Sequence, residues 1–406
     1  MTYRRILVAG GLSLALLAAA CHEDELFSSL PPLYTGGAMF QRYVAMGNSI
    51  TAGVQSGGIN DSTQRQSYAV LVAAVMGGDP FYYPSLNAPG CPPPFTNIFT
   101  QARVGGAGST GATCLLRSPN IPPYVSNVAV PSAETVDMLV NGPPPAANSN
   151  PLTLLFLGGR TQVQAMMAAR PTFVSVWIGN NDLLGAAQVG DTTAATDTAA
   201  FRVNYAKALD SIQATGASAV LIAVGLGHLV NNVALPFFSR GTTWYGLWAG
   251  GAFALAPFTV AANCAPPRGD TVLVSFPYGF GLLAAAQAGT PTTLDCTAAP
   301  VIEPAETRFF AVLQLRYNAI IQAQATARGW AFTDSVNATM DSLAGVLPAG
   351  SQFAPFPNTA AACSGSPFGL AFSCDGIHPS QTTHQRIARK IVRAINAKYG
   401  SAIPTP

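Results

Sequence analysis

Short, mostly apolar runs alternate with longer stretches of helical period over most of this chain. Tyr43 to Met46 is such a run, closed by Gly47, and predicts a buried strand. Thr172 to Ile178 (TFVSVWI) and Ala217 to Val224 (ASAVLIAV) predict two more, and Ala331 to Asp334 a short fourth. Ser67 to Met76, Thr161 to Ala169, Ala199 to Thr215 and Pro304 to Arg328 read as helices, and Ser380 to Tyr399 as a closing helix. That helix carries a basic ladder, Arg386, Arg389, Lys390 and Arg393, which reads as a solvated face. Residues 84–151 are rich in Pro, Gly and Asn and read mostly as loop. Strands without polar alternation are buried on both faces. Helices between them supply the cover, so the pattern predicts an α/β fold: three layers, α/β/α, around a parallel sheet with long loop insertions. In such sheets ligands bind beyond the carboxyl ends of the strands.

Composition narrows the class. Only 9% of the 406 residues are charged, 49% are hydrophobic and mean hydropathy is +0.30. That is too apolar for a disordered chain and too poor in charge for a coiled coil. The formal net charge is +2, which lacks the basic excess of a nucleic-acid partner.

The first 21 residues stand apart. Arg4 and Arg5 open a run of apolar residues, Ile6 to Leu17, followed by Ala18, Ala19, Ala20 and then Cys21. Positive start, apolar stretch and small residues in that order predict an export signal over 1–21. The cysteine behind the small residues resembles a bacterial lipobox, which implies a lipidated Cys21 and a membrane-anchored protein of the cell envelope. Removal of Arg4 and Arg5 leaves 18 basic against 18 acidic residues. Residues 22–41, with their acidic HEDE, Pro31, Pro32 and Gly36-Gly37, read as a tether, and the domain is expected over 42–400. The best competing apolar stretch, Trp244 to Phe258, is interrupted by glycines and is shorter than the roughly 20 residues a span needs.

Six further cysteines remain: Cys91, Cys114, Cys264, Cys296, Cys363 and Cys374. An even set in an exported chain predicts disulfides. Sequence alone does not choose among the pairings; the expectation is that neighbours pair, 91 with 114, 264 with 296, 363 with 374. There is no C-x-x-C, and the four histidines are scattered, so no metal site is expected.

The candidate chemistry lies in four short pieces. Gly47-Asn48-Ser49-Ile50-Thr51-Ala52-Gly53 follows the first strand, and Asn127-Val128-Ala129-Val130-Pro131-Ser132-Ala133 lies in the loop-rich region. Gly179-Asn180-Asn181-Asp182 follows TFVSVWI, and Asp375-Gly376-Ile377-His378-Pro379 precedes the closing helix. A serine hydroxyl becomes a nucleophile when a base takes its proton. His22 lies in the tether, His384 on what reads as the exposed side of the closing helix, and His228 after a strand. His378 alone has a carboxylate three residues earlier, Asp375, spaced to hold one imidazole nitrogen while the other faces Ser49.

In this order and context the four pieces resemble the blocks of the SGNH (GDSL-type) hydrolases, over roughly residues 42–398. The resemblance implies a flavodoxin-like three-layer fold and a Ser49, His378, Asp375 triad. It also implies three oxyanion donors: the Ser49 N–H, the Ser132 N–H and the Asn181 side chain. Two positions depart from the family pattern: Ser132 stands where glycine is usual, and Asn48 where the family name implies aspartate. The expected activity is that of an esterase or lipase on a small-molecule or lipid ester, through an acyl-enzyme and without cofactor. The alternatives are a carbohydrate O-deacetylase on the same site and a non-catalytic surface-binding lipoprotein on a hydrolase scaffold.

Residues 236–301 interrupt the strand–helix alternation with ten aromatics, among them Phe237, Phe238, Trp244, Phe276 and Phe280, and four charges. Two uses stay open: a subdomain packing its own core, or an apolar wall or lid for an acyl chain.

Overall fold

The computed structural model describes residues 37–106, 113–117, 122–140, 151–225, 237–253, 257–334 and 361–406. Cys21 with the signal, the first part of the tether with His22, and His228 lie outside the described residues.

Strand β1 (Tyr43–Gly47) is buried along its whole length, as is β2 (Phe173–Trp177). They run parallel in the register Tyr43↔Phe173 to Gly47↔Trp177. Strand β3 (Ser218–Ile222) pairs with the far side of β2, and β4 (Ala331–Thr333) closes that edge, both parallel. The fourth neighbour corrects the sequence reading. Residues 126–130, taken as loop, run beside β1: Ala45 N–H donates to the Ser126 carbonyl at 2.8 Å, and Val128 N–H to the Ala45 carbonyl at 2.9 Å. Val130 N–H then reaches the Gly47 carbonyl at 3.2 Å, and the Ala45–Asn127 bridge is parallel. With this edge segment counted second along the chain, the order is 2-1-3-4-5, that of a doubly wound flavodoxin-like sheet.

Helix α1 (Ser49–Ala52) is a single turn after β1, and α2 (Tyr68–Met76) follows with Ser67 as its N-cap. Helix α3 (Gln162–Ala169) begins with a capping box on Thr161. Helix α4 (Asn181–Val189) and α5 (Thr198–Ala214) lie between β2 and β3, α6 (Pro304–Ala327) precedes β4, and α7 (Gln381–Tyr399) closes the chain. Helices α2 and α7 pack together on one side of the sheet, and α3, α5 and α6 on the other. Phe40, at the end of the stretch read as tether, is buried and lies 5.0 Å from the Phe173 ring.

The three disulfides join neighbours: Cys91–Cys114, Cys264–Cys296 and Cys363–Cys374. Residues 237–301 form a unit with its own core of Trp244, Phe258, Val260, Val274, Leu283 and Leu294. A three-stranded antiparallel sheet (Phe238–Arg240, Leu273–Ser275, Val301–Ile302) frames it, and Cys264–Cys296 staples it. Among the described residues no helix is long and apolar enough to cross a membrane.

Candidate active site

The site forms where β1 and β2 end, between neighbouring strands whose connections leave on opposite sides of the sheet. That crevice is where doubly wound sheets bind ligands. Gly47 ends β1, and only glycine fits there: an added Cβ would lie 2.6 Å from the Trp177 carbonyl and clash with Thr51. Its backbone is clamped by Gln162, whose Oε1 accepts from Gly47 N–H at 3.0 Å and whose Nε2 donates to the Gly47 carbonyl at 2.9 Å. Asn48 is buried and caps α1 by accepting from Ile50 N–H at 3.2 Å. Asparagine at this position therefore organises the turn. Ser49 is the first residue of α1, where a backbone N–H has no intrahelical acceptor.

Ser49, His378 and Asp375 form one hydrogen-bonded chain across the molecule. His378 Nε2 lies 2.9 Å from Ser49 Oγ, and His378 Nδ1 lies 2.8 Å from Asp375 Oδ2. Around Asp375 the donors are dense. Oδ1 accepts from the Ile377 and His378 N–H groups at 3.0 and 2.9 Å, and Oδ2 from Gly57 N–H at 2.6 Å. Burial pushes this carboxyl up, but the His378 charge and these donors outweigh it and hold the group at about 2. An ionised carboxylate only accepts, so the His378 proton sits on Nδ1 and Nε2 presents its lone pair to the Ser49 hydroxyl. Gly376 makes the turn possible: its φ is +72°, and a Cβ would meet the Phe368 ring. The Cys363–Cys374 disulfide ends one residue before Asp375.

Ser132 and Asn181 lie on the same cleft. Ser132 follows the edge segment with φ +64°, so the left-handed conformation that favours glycine is kept here by a serine. Asn181 opens α4 and donates one amide hydrogen to the Ala133 carbonyl at 2.9 Å, leaving the second to point elsewhere. The next residue, Asp182, is buried and receives both donors of Thr135: the N–H at 3.0 Å and the hydroxyl at 2.6 Å. Burial raises the Asp182 carboxyl against these bonds. Glu134, beside it, is pushed up to about 7 by burial and then by Asp182 and Asp137.

The cleft holds about 430 Å³. Val54, Ile59, Pro92, Leu152, Leu184 and Ile377 supply its apolar wall. Apart from His378, no lining residue among the described ones is ionisable. None of the described residues of 237–301 lines it. Val54 and Ile59 of the wall come from the loop after α1, held against Cys91-Pro92 by the Ile59 N–H to Pro92 carbonyl bond at 2.9 Å, and Leu152, Leu184 and Ile377 come from three other segments.

His384 also departs from expectation. It is fully buried, and its Nδ1 accepts from Tyr68 N–H at 3.2 Å. Nε2 has no hydrogen-bond partner among the described residues, and burial, then the proximity of His378, push the ring down to about 3. The roles of Gln162, Asp182 and Gly57 are not legible in the sequence either, because each acts on a residue remote along the chain through a contact that no local pattern encodes.

No family model and no curated protein sequence matches the chain. Among solved structures, it is similar to a catalytic mutant of an acetylxylan esterase from Geobacillus stearothermophilus, with a TM-score of 0.38, 12% identity, and 89% of this chain and 95% of that one covered. It is likewise similar to an alpha/beta hydrolase from the metagenome of Lake Arreo, Spain, with a TM-score of 0.38, 11% identity, and 90% and 98% of the two chains covered. Overlaps this loose transfer neither a residue role nor an activity. The α/β class and the parallel, doubly wound order stand on the chain's own sheet.

Proposed function

We propose that this protein is an exported serine hydrolase of carboxylic esters, of the SGNH (GDSL-type) kind, with Ser49 as nucleophile, His378 as base and Asp375 as the group that orients it. The observation that carries the reading is the unbroken chain Asp375–His378–Ser49 at the sheet's carboxyl edge. Ser49 Oγ attacks the ester carbonyl while His378 Nε2 takes its proton. The imidazolium that results is stabilised by Asp375. The carbonyl oxygen becomes an oxyanion met by the Ser49 and Ser132 N–H groups and the free amide hydrogen of Asn181. The tetrahedral intermediate collapses, His378 returns the proton to the leaving alkoxide, and an acyl-Ser49 ester remains. Water, deprotonated by His378, repeats the sequence and releases the acid.

The cleft suits a neutral acyl group: among the described residues its wall is apolar and His378 is the one ionisable group that lines it. Three disulfides fit assembly in an oxidising compartment, in keeping with an export signal. A lipid on Cys21 belongs to the same reading and would hold the enzyme at a membrane; Cys21→Ser should then shift it from the membrane to the soluble fraction.

A fluorophosphonate probe and a chain-length series of acyl esters test the reading, with wild type beside Ser49→Ala. Labelling and turnover in wild type, both absent in Ser49→Ala, are expected. Folded wild type that does not label, or equal labelling of the two, would turn the reading toward a binding protein. Faster deacetylation of acetylated sugars than of simple esters would move the substrate class.

A further inference from the structure

The two segments that carry the non-triad oxyanion donors are far apart in sequence and have no shared strand or helix. Ser132 sits in a turn at the end of the edge segment, and Asn181 at the first position of α4. Three hydrogen bonds join them: Asn181 Nδ2 to the Ala133 carbonyl, and the Thr135 N–H and hydroxyl to the two oxygens of Asp182. Asp182 lies in the first turn of α4, where a carboxylate usually accepts from its own helix's free N–H groups. Here, besides its own N–H and the Thr196 side chain, the carboxylate reaches outward to the turn. Both partners are fully or nearly fully buried, with Thr135 0% and Asp182 2% exposed, so these bonds are not exchanged with water. Asn181, one residue before, has one amide hydrogen fixed by the same turn.

We propose that Asp182 is a positioning residue: by holding Thr135 at two points it locks the Ser132 turn to the start of α4, so that the Ser132 N–H and the Asn181 amide aim at one oxygen. The inference rests on the ester-hydrolase reading of the site. Asp182 touches neither substrate nor triad. Its effect passes through the geometry of two donors, where a displacement of about 1 Å costs on the order of 10²-fold in rate.

The test measures kcat and KM per active site, with sites counted by fluorophosphonate titration so that misfolded protein does not enter the rate. Asp182→Ala should lower kcat about 10²-fold with KM nearly unchanged. Asp182→Asn should recover most of that loss, because its carbonyl accepts from Thr135 N–H while its amide donates to the Thr135 hydroxyl. In an Asn181→Ala background, Asp182→Ala should cost little more, because the donor it aims is gone. Thr135→Val removes only the hydroxyl and should lower kcat roughly 10-fold; it carries the test if Asp182→Ala fails to fold. Unchanged kcat per site in Asp182→Ala or Thr135→Val, full additivity with Asn181→Ala, or an Asn variant as slow as the Ala variant would overturn the proposal. Absence of Ser49-dependent turnover in wild type would instead remove the hydrolase reading beneath it.

Discussion

Burial of His384 makes stability depend on pH between 6.5 and about 3. The ring is wholly buried, its Nδ1 accepts from Tyr68 N–H and its Nε2 hydrogen meets no acceptor among the described residues. A second proton has nowhere to go without breaking the Tyr68 bond, so the group stays neutral in the fold down to about 3, against 6.5 for a free ring. Below 6.5 the unfolded chain binds a proton that the fold refuses. The contribution is complete above 6.5 and is lost as the pH falls from there toward 3. At about 1.36 kcal/mol per unit, going from pH 7.5 to 4.5 removes about 3 kcal/mol, a large share of an ordinary stability. Glu134 works against this: held protonated to about 7, it favours the fold at low pH and loses that contribution as the pH rises from 4.5 toward 7. Asp375 enters only below 3.8. The wild-type curve alone therefore mixes effects, and the comparison is with His384→Asn. Its Oδ1 can replace Nδ1 as acceptor for Tyr68 N–H, and it does not titrate. Urea unfolding at pH 7.5 should show the variant less stable by about 1–3 kcal/mol, for the volume lost. At pH 4.5 that gap should close or reverse. Parallel stability curves for the two proteins would refute the reasoning.

Asp375→Asn keeps the shape but not the acceptor character, and puts an amide among donors from Gly57, Ile377 and His378. It should lower kcat roughly 10³–10⁴-fold in steady-state ester hydrolysis. Ser132→Gly relieves a side chain held at φ +64° and should raise urea stability by about 1 kcal/mol while kcat stays within about threefold, since the donor is a backbone N–H. Loss of the Cys363–Cys374 bridge in Cys363→Ser/Cys374→Ser should cost about 3 kcal/mol and lower kcat at temperatures where the protein is still folded, because the bridge ends beside Asp375.

The strands that place Ser49 and Asn181 were legible because they are short, mostly apolar runs closed by glycine, the pattern of a strand buried on both faces. Residues 126–130 were not: the apolar part of that run is three residues long, Val128 to Val130, and ends at Pro131 inside a Pro-rich stretch. The burial of His384 is legible in the helical pattern. The residue lies at helical spacing with Ala388, Ile391 and Ile395, all buried on the inner stripe of α7, opposite the exposed Arg389 and Arg393. The Asp182–Thr135 lock spans 47 residues and has no local signature at all.

The described residues of the aromatic unit, absent from the cleft wall, still reach the site by another route. Phe280 sits between the two cores, 5.7 Å from Trp244 on one side and 4.2 and 5.2 Å from Phe276 and Phe99 on the other. Phe276 meets Phe368 at 5.0 Å, and the Phe368 ring lies against Gly376, between Asp375 and Ile377 in the turn that leads to His378. These rings brace the turn that holds the base without touching the substrate. Phe280→Ala should therefore cost about 2–4 kcal/mol of stability, less than a wholly buried phenylalanine, and lower kcat several-fold through the turn. The ratio of kcat/KM for long against short acyl esters should not change, because no atom of the acyl wall has been removed. A variant that keeps its kcat but shifts that ratio would return the unit to the role of an acyl wall and undo the bracing argument.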